Sequence, residues 1–388
     1  MTESASGKRA SAPPPGRRQR VVIAGGGTGG HAQPAVALGA ALLRRGSEVR
    51  LVGTLGGPEG RAAEAAGIPF EGIDVMGFKR SVSARNLLAA GKAGTATLRA
   101  LAILRRSRAD VAVGIGGYAS VPVAAAAGIL RIPLVLHEQN AVPGAANRLA
   151  GRWAAAVAAS FPGTERWFGA PVRLTGNPIR PEIARLDRSA LHAAGVEHFG
   201  LEPGRRTLLV FGGSQGARHV NEAALGAYDR WRKEDRLQVL HLVGPKQLPS
   251  ARARLAEVRA GDDDVLWRLV GYTDRMDLAY AAADLTVCRG GAATLFEIAA
   301  AGLPAIVVPY PYATADHQRA NAQSLVEGKG VEMLLDPDCT PQNLGNAVDA
   351  LLFDDGRLAE MREALGAFAR PDAAEALADL VLEVGARR

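Results

Sequence analysis

Apolar positions along the chain follow two alternating patterns: short runs rich in Val, Ile and Leu, and longer alanine-rich stretches with helical spacing. Continuous apolar runs bounded by Gly or Pro predict strands that are buried on both faces, and their alternation with helices predicts parallel sheets. The predicted strands are Arg20–Ala24, Glu48–Gly53, Val111–Ile115, Leu134–His137, Val172–Thr175, Thr207–Phe211, Gln238–Val243, Val265–Leu269, Leu285–Cys288 and Ala305–Val308. The chain is therefore predicted to be an α/β protein.

The pattern restarts halfway along the chain. TLLVFGGSQGARHVNEA from Thr207 repeats the order of apolar run, glycine loop and helix found in VVIAGGGTGGHAQPAVA from Val21. A length of 388 residues fits two domains of ordinary size. We expect two Rossmann-like, doubly wound parallel-sheet domains, 20–178 and 179–370, with the boundary in the proline-containing segment GNPIRP from Gly176 and ligands in the cleft between them.

Charge and cysteine content narrow the class of protein. The formal charge is +7, and five cations lie in the first 20 residues, which contain no apolar run. We expect residues 1–19 to be a disordered basic tail without a secretory signal. Two cysteines do not make a disulfide framework, which favours a reducing cytosol. The uncharged stretch 111–130 contains four glycines and a proline, and therefore indicates a βα unit rather than a membrane span.

The first glycine loop, GGGTGGH from Gly25, directly follows a predicted strand and precedes a predicted helix. This order presents free backbone N–H groups to an anion. Gly25, Gly27 and Gly30 match the dinucleotide pattern, but the second strand ends at Gly53-Thr54 without the acidic residue that a ribose requires. An anion site is expected, and a nicotinamide-dependent oxidoreductase is disfavoured.

His31 follows this loop at the start of the helix. The positive end of a helix disfavours protonation of a neighbouring imidazole, so a neutral ring that accepts a proton is one interpretation, and a histidine that caps or packs is the other. The loops Gly116–Ser120 and His137–Asn140 also follow strands and are candidate substrate contacts.

The stretch CRGGAATLFEIAAAGLP from Cys288 carries a second candidate anion site. Gly290-Gly291 precede a helix whose first N–H groups are suited to a phosphate, and Glu297 lies further along it. A diphosphate with an attached ribose fits this spacing. The alternative is a solvated glutamate, which the apolar neighbours of Glu297 disfavour. The acidic strings Asp262–Asp264 and Asp336–Asp338 are predicted to be solvated turns, and no metal site is expected.

Residues 74–110 contain eight Lys or Arg against two Asp. An apolar tip with cations around it suits an anionic membrane surface, and an ordinary βα loop with a basic rim is the alternative. The candidate membrane residues are Val75, Met76, Phe78, Lys79, Arg80 and Arg85. Nucleic acid is disfavoured as a partner because no aromatic platform accompanies the charge.

Seven motifs in order give the chain a clear resemblance to the MurG family of glycosyltransferases. They are GGTGGH (26–31), GGYAS (116–120), HEQNAVPG (137–144), TGNPIR (175–180), GGSQGA (212–217), CRGGAATLFEIAAAGLP (288–304), and Asp316-His317-Gln318 followed by Asn321-Ala322. The resemblance runs from Val21 to Leu352. It implies a GT-B fold in which the second domain binds the donor and the first the acceptor.

The resemblance also implies the reaction. GlcNAc would pass from UDP-GlcNAc to the C4 hydroxyl of MurNAc in undecaprenyl-diphospho-MurNAc-pentapeptide (lipid I), with inversion and without a cofactor, to give lipid II and UDP. Such an enzyme serves peptidoglycan synthesis, and through it cell shape and division, at the cytoplasmic face of the cell membrane. A diacylglycerol glycosyltransferase and a non-catalytic nucleotide-sugar-binding module are the alternatives.

By resemblance, Glu297 would hold the ribose, Thr273 the uracil and Gln318 the GlcNAc hydroxyls. Ser214 and Arg180 would serve the diphosphate. Backbone contacts would come from Ala292, Ala293, Thr294, Leu295 and Phe296, and Thr28, Gly29, Gly30 and Asn140 would face the donor across the cleft. Tyr118 would lie toward the acceptor, with His31 as the first candidate base and Glu138 the second. Residues 371–388 would form a helix, Asp372–Val384, that returns to the first domain. Ala32-Gln33 depart from the family pattern beside His31.

Overall fold

A computed structural model of the protein describes residues 18–26, 29–76, 84–213 and 216–387. In these ranges the first parallel sheet has seven strands in the order β3-β2-β1-β4-β5-β6-β7. Its strands are β1 (Arg20–Gly26), β2 (Glu48–Thr54), β3 (Phe70–Ile73), β4 (Val111–Gly117), β5 (Leu134–Glu138), β6 (Ala156–Ala159) and β7 (Val172–Leu174). The helices between them are α1 (Gly29–Arg44), α2 (Pro58–Ala65), α3 (Ala84–Arg106), α4 (Ser120–Leu130) and α5 (Ala145–Ala150), with 3₁₀ turns at Gly151–Trp153 and Thr164–Trp167.

The second sheet has six described strands, all parallel, in the order β10-β9-β8-β11-β12-β13. They are β8 (Arg206–Phe211), β9 (Leu237–Leu242), β10 (Leu266–Val270), β11 (Leu285–Cys288), β12 (Ala305–Val307) and β13 (Val331–Met333). The helices are α6 (Pro181–Ala184), α7 (Arg188–His198), α8 (Arg218–Gly226), α9 (Tyr228–Trp231), α10 (Leu248–Val258), α11 (Met276–Ala282), α12 (Ala292–Ala301), α13 (His317–Glu327), α14 (Pro341–Leu352), α15 (Asp355–Phe368) and α16 (Ala373–Ala386), with 3₁₀ turns at Thr314–Asp316 and Asp336–Asp338.

The two sheets confirm the predicted α/β class. All ten predicted strands are present, and their ends differ by at most two residues. Three strands were missed: β3, β6 and β13. Each has only three or four residues, and none is a continuous run of Val, Ile and Leu.

Helix α16 packs on the first sheet although it ends the chain. It contacts α1, β4, β5 and β6, and Leu377, Ala378 and Val381 are fully buried in the core on that side of the sheet. The Gln19 side chain donates a hydrogen bond to the Leu382 carbonyl at 3.0 Å. The last helix therefore lies against the first domain, where the resemblance places it, while the boundaries of the predicted domains stay predictions.

In the described residues, no helix combines the length and the apolar character that crossing a bilayer requires.

The carboxyl ends of β1, β4 and β5 are neighbours in the first sheet, which brings three predicted loops together. β1 and β4 pair with an irregularity between Ala24 and Gly25 that shifts Gly25 opposite Gly116 and Gly26 opposite Gly117. The Gly116 N–H donates to the Ser120 hydroxyl at 3.0 Å, and that hydroxyl donates to the Gly116 carbonyl at 2.6 Å. The glycine loop, GGYAS and HEQN therefore meet at one edge.

Replacing Gly117 with alanine should strongly destabilise the first domain. Gly117 has φ +78°, and an added Cβ would lie 1.7 Å from the Gly26 carbonyl oxygen, so the two strand ends would have to separate. We expect the free energy of unfolding to fall by about 3 kcal/mol or more in urea denaturation.

Gly91→Ala is the matched control for Gly117→Ala. Gly91 lies inside α3 with open space where a Cβ would be, so this change should raise stability by up to about 1 kcal/mol. Equal effects of the two substitutions would contradict the close approach of β1 and β4.

Candidate functional site

His31 lies in the first turn of α1, at the edge where β1, β4 and β5 end. Its imidazole packs so closely on Gly116 that a Cβ there would be 3.0 Å from Nε2. A cavity of about 40 Å³ adjoins the ring and is lined also by Glu138, Asn140 and Asn147. Burial lowers the pKa of His31 to about 4, and the positive charge of His317 lowers it further. The ring is therefore neutral near pH 7, as expected, but burial rather than the helix end is the larger cause.

Glu138 is buried beside the same cavity, and both of its carboxylate oxygens accept hydrogen bonds. Oε1 accepts from the Asn140 backbone at 2.9 Å and the Asn140 side chain at 3.3 Å. Oε2 accepts from the Gly144 backbone at 3.2 Å and the Asn147 side chain at 2.9 Å. Burial raises the pKa of Glu138, and these N–H groups oppose that shift. Four donors leave this carboxylate little free acceptor capacity, and they tie Glu138 to the loop 138–147.

The motif search missed Asn147, which ties this loop together. Its side-chain amide donates to the His137 carbonyl and to Glu138, at 2.9 Å each. His137 is a buried core residue whose ring contacts the Gly176 carbonyl at 3.2 Å, and burial lowers its pKa to about 4.

In the second domain, Glu297 lies on α12 one and a half turns beyond Gly291. Its side chain is only 10% exposed, which excludes the solvated alternative. The Arg180 guanidinium donates a hydrogen bond to each carboxylate oxygen, from Nε to Oε1 at 3.0 Å and from Nη2 to Oε2 at 3.1 Å. The Tyr280 hydroxyl donates to Oε2 at 2.9 Å, and burial raises the pKa of Tyr280, which keeps it protonated. Arg180 therefore lies on Glu297 rather than free beside the glycines, and Tyr280 is a further residue that sequence reasoning missed.

The other expected donor contacts lie before α11, on α12, on α13 or outside the described residues. Thr273 precedes α11 and its hydroxyl accepts from the Arg275 backbone at 3.0 Å, and the Gln318 side chain accepts from the Tyr310 backbone at 2.9 Å. Leu295 and Phe296 are buried in the core, so they have only backbone to offer a ligand. Ala292 begins the helix, and Ala293 and Thr294 are half-buried in its first turn. Thr28 and Ser214 are outside the described residues.

Among the candidate residues of the first domain, Tyr118 is 52% exposed, Gly29 and Gly30 begin α1, and Asn140 is half-buried. Of the candidate membrane residues, Val75 and Met76 are half-buried, while Phe78, Lys79, Arg80 and the side chain of Arg85 lie outside the described part.

The acidic strings have different surroundings. Asp262 lies on the surface and pairs with Lys233 at 2.8 Å, in agreement with a solvated turn. Asp263 does not agree with it, because its side chain is 9% exposed, pairs with Arg232 at 2.7 Å and accepts from the Tyr228 hydroxyl at 2.8 Å. The prediction was also wrong for Asp336, whose side chain is 15% exposed and binds Arg289 and His219. The physical reason is tertiary: Arg289 follows β11 and meets the turn after β13. Among the described residues, no group of three or more His, Cys, Asp or Glu has metal-binding geometry.

Two family models match the chain. The glycosyltransferase family 28 N-terminal domain matches residues 21–159, and the C-terminal domain of the same family matches residues 207–377.

Relatives with one shared name match over nearly the whole chain. A UDP-N-acetylglucosamine–N-acetylmuramyl-(pentapeptide) pyrophosphoryl-undecaprenol N-acetylglucosamine transferase of Halothermothrix orenii is 37% identical over 359 residues, covering 91% of this chain and 96% of that protein. The Nocardioides protein of that name is 42% identical over 365 residues, covering 92% and 96%. The crystal structure of Acinetobacter baumannii MurG superposes with a TM-score of 0.75 at 29% identity and covers 95% of this chain and 100% of that one. With its two Rossmann-like sheets, this chain belongs to the MurG family of GT-B glycosyltransferases.

Proposed function

We propose that this protein transfers GlcNAc from UDP-GlcNAc to the C4 hydroxyl of MurNAc in undecaprenyl-diphospho-MurNAc-pentapeptide, releasing UDP. The observation that carries the proposal is that each domain has one candidate site, and that the two domains touch between these sites through Asn140 and Asn321. Glu297 lies buried behind the N-terminal end of α12, and a neutral His31 lies on the facing domain. The first is suited to a nucleoside diphosphate, and the second to a hydroxyl that must lose a proton.

The donor half of the reaction uses α12. The free N–H groups at the start of the helix, beside Gly290 and Gly291, bind the diphosphate. Negative charge grows on that diphosphate as the glycosidic bond breaks, so the same N–H groups stabilise the transition state more than the ground state. Glu297 orients the nucleoside by accepting a hydrogen bond from ribose.

The acceptor half uses His31. The C4 hydroxyl attacks the anomeric carbon from the face opposite the departing UDP, so one displacement forms the new bond with inversion, through an oxocarbenium-like transition state. The hydroxyl proton passes to His31. The negative diphosphate of a bound donor raises the imidazole pKa from its low value, because an opposite charge favours the protonated form. Glu138 positions the loop beside His31 and is not the base in this proposal.

We also propose that the first domain docks on the anionic cytoplasmic face of the cell membrane, since the acceptor carries a lipid chain. Besides the segment from Val75, the structure offers exposed aromatic side chains bordered by arginines. Trp153 and Trp167 are 42% and 38% exposed. The guanidinium groups of Arg148 and Arg166 lie 5.4 and 5.6 Å from the Trp167 ring centre. Tryptophan and arginine are the side chains that suit the boundary between lipid headgroups and water.

A transfer assay tests the catalytic proposal. The purified protein is incubated with UDP-GlcNAc and either a lipid I analogue or diacylglycerol, and disaccharide-lipid and UDP are both measured. We expect both products with the lipid I analogue alone. UDP-GlcNAc binding without transfer would identify a binding module, and glycosylated diacylglycerol would identify the other lipid transferase; either result would overturn the proposal.

A further inference from the structure

Asn321 is a fully buried side chain that contacts both domains. Its amide nitrogen donates to the Asn140 side-chain oxygen at 3.1 Å and to the Gly290 carbonyl at 3.3 Å. Its amide oxygen accepts from the Ala141 backbone N–H at 2.9 Å. Asn140 and Ala141 follow β5 in the first domain, and Gly290 precedes α12 in the second. One side chain therefore links the loop 138–147 to the glycines before α12.

The second-domain end of this link is held rigidly. The first turn of α13 packs so closely on Gly290 that an added Cβ would lie 2.5 Å from the Gln318 carbonyl oxygen. Any movement of Gly290 on ligand binding must therefore move the start of α13 as well. Asn321 lies one turn further along the same helix.

The first-domain end is held just as firmly. Glu138 accepts hydrogen bonds from Asn140, Gly144 and Asn147, so one carboxylate ties the two ends of the loop 138–147 together. This loop lines the cavity beside His31. A shift passed through Asn321 therefore reaches the surroundings of His31.

We propose that Asn321 is a positioning residue that couples occupation of the donor site to the placement of the loop 138–147. The inference rests on the proposed function, since it takes the glycines before α12 as the donor site. Asparagine suits the role because one planar amide both donates and accepts. A ligand bound at Gly290 holds the start of α13 in place, and Asn321 then keeps Asn140 and Ala141 beside the candidate base.

Hydrogen exchange with UDP as the probe tests the coupling. We compare the protein with Asn321→Leu, Asn321→Ala and the control Gln323→Leu, with exchange measured in peptides covering 138–147 and 289–297. Gln323 is exposed on the same helix, and its side-chain amide donates to Glu327 at 3.3 Å. In the unaltered protein and the control, UDP should slow exchange in both peptides. In both Asn321 variants it should slow exchange only in 289–297.

The two possible failures give different results. If UDP does not slow hydrogen exchange in the peptide 289–297 of the unaltered protein, the assignment of the donor site is overturned. If UDP slows exchange in both peptides of the Asn321 variants as much as in the unaltered protein, only the coupling is overturned. The alanine variant keeps the test open if the leucine variant does not fold.

Comparison of kcat with the Kd for UDP distinguishes a positioning role from a merely structural one. Misplacement of a reacting group by about 1 Å costs about 10²-fold in rate, so kcat of Asn321→Ala should fall by about that factor. The Kd for UDP should stay within about threefold, because the nucleotide contacts themselves are kept. An unchanged kcat, or a fall in kcat that matches an equal loss of UDP affinity, would contradict a positioning role.

Discussion

Replacement of His31 by glutamine should lower kcat for GlcNAc transfer by about 10²–10⁴-fold, because the attacking hydroxyl loses its proton acceptor. Glutamine keeps a polar side chain of similar reach beside Gly116, so the cavity next to the ring should persist. UDP affinity should change by less than about threefold, since the loss falls on a step that follows donor binding. Steady-state transfer kinetics and calorimetry with UDP measure the two quantities. An unchanged kcat would remove His31 from the role of base.

The pH profile gives an independent test of His31. Burial lowers the pKa of His31 to about 4, so in the free protein the ring loses its proton as the pH rises through that value. The contribution of His31 to kcat/KM should therefore rise with pH near 4 and stay level above it, because kcat/KM reports the free enzyme. This rise of kcat/KM near pH 4 should be absent in His31→Gln. A rise that levels off near the ordinary histidine pKa of 6.5 would show that the ring is not buried in solution.

Much of the fold could be predicted from the sequence, because continuous apolar runs between helices have few other interpretations. β11 was predicted to the residue, since Leu285–Cys288 is bounded by Asp284 and by Arg289. β6 was missed for an equally physical reason. Its residues Ala156–Ala159 lie within RWAAAVAAS, and alanine favours helix. Only pairing with β5 and β7 makes this segment a strand, and such pairing is not visible in a local pattern.

The candidate site shows the same division between local and distant information. His31 and Glu297 could be found because each follows a glycine loop at a helix start. Tyr280 could not, because its partner Glu297 is on another helix and nothing in the sequence around Tyr280 indicates a ligand site. The Arg180–Glu297 pair joins residues 117 positions apart. Sequence spacing thus located the loops, while the hydrogen bonds that hold each side chain came from tertiary packing.

Substituting Glu297 with glutamine should weaken UDP binding by about 1–3 kcal/mol, equivalent to about 5- to 150-fold in Kd. A charged acceptor for a ribose hydroxyl is lost, while side-chain volume is kept. Glu257→Gln is the matched control, because Glu257 is exposed on α10 and, in the part of the chain that the structure describes, pairs with Arg254 alone, at 3.0 Å. Calorimetry that gives the same Kd for UDP in Glu297→Gln and the control would contradict the ribose assignment.

A deoxy ligand separates a ribose contact from general electrostatics. If Glu297 accepts from a ribose hydroxyl, the unaltered protein should bind UDP more tightly than 2′-deoxy-UDP or 3′-deoxy-UDP. In Glu297→Gln the corresponding difference should shrink toward zero. A preference that survives the substitution would place the hydroxyl contact elsewhere.

The free protein limits how this contact forms. A carboxylate has about four acceptor positions, and Glu297 already uses three of them for two Arg180 contacts and one Tyr280 contact. Two vicinal hydroxyls cannot both be accepted unless a present partner leaves. Arg180 is the partner that a diphosphate would attract, because a guanidinium binds phosphate oxygens in the same two-pronged way as a carboxylate.

We therefore expect Arg180→Ala to weaken binding of UDP more than binding of uridine, whereas Glu297→Gln should weaken binding of both ligands. Equal losses of affinity for both ligands in Arg180→Ala would mean that the guanidinium stays on Glu297.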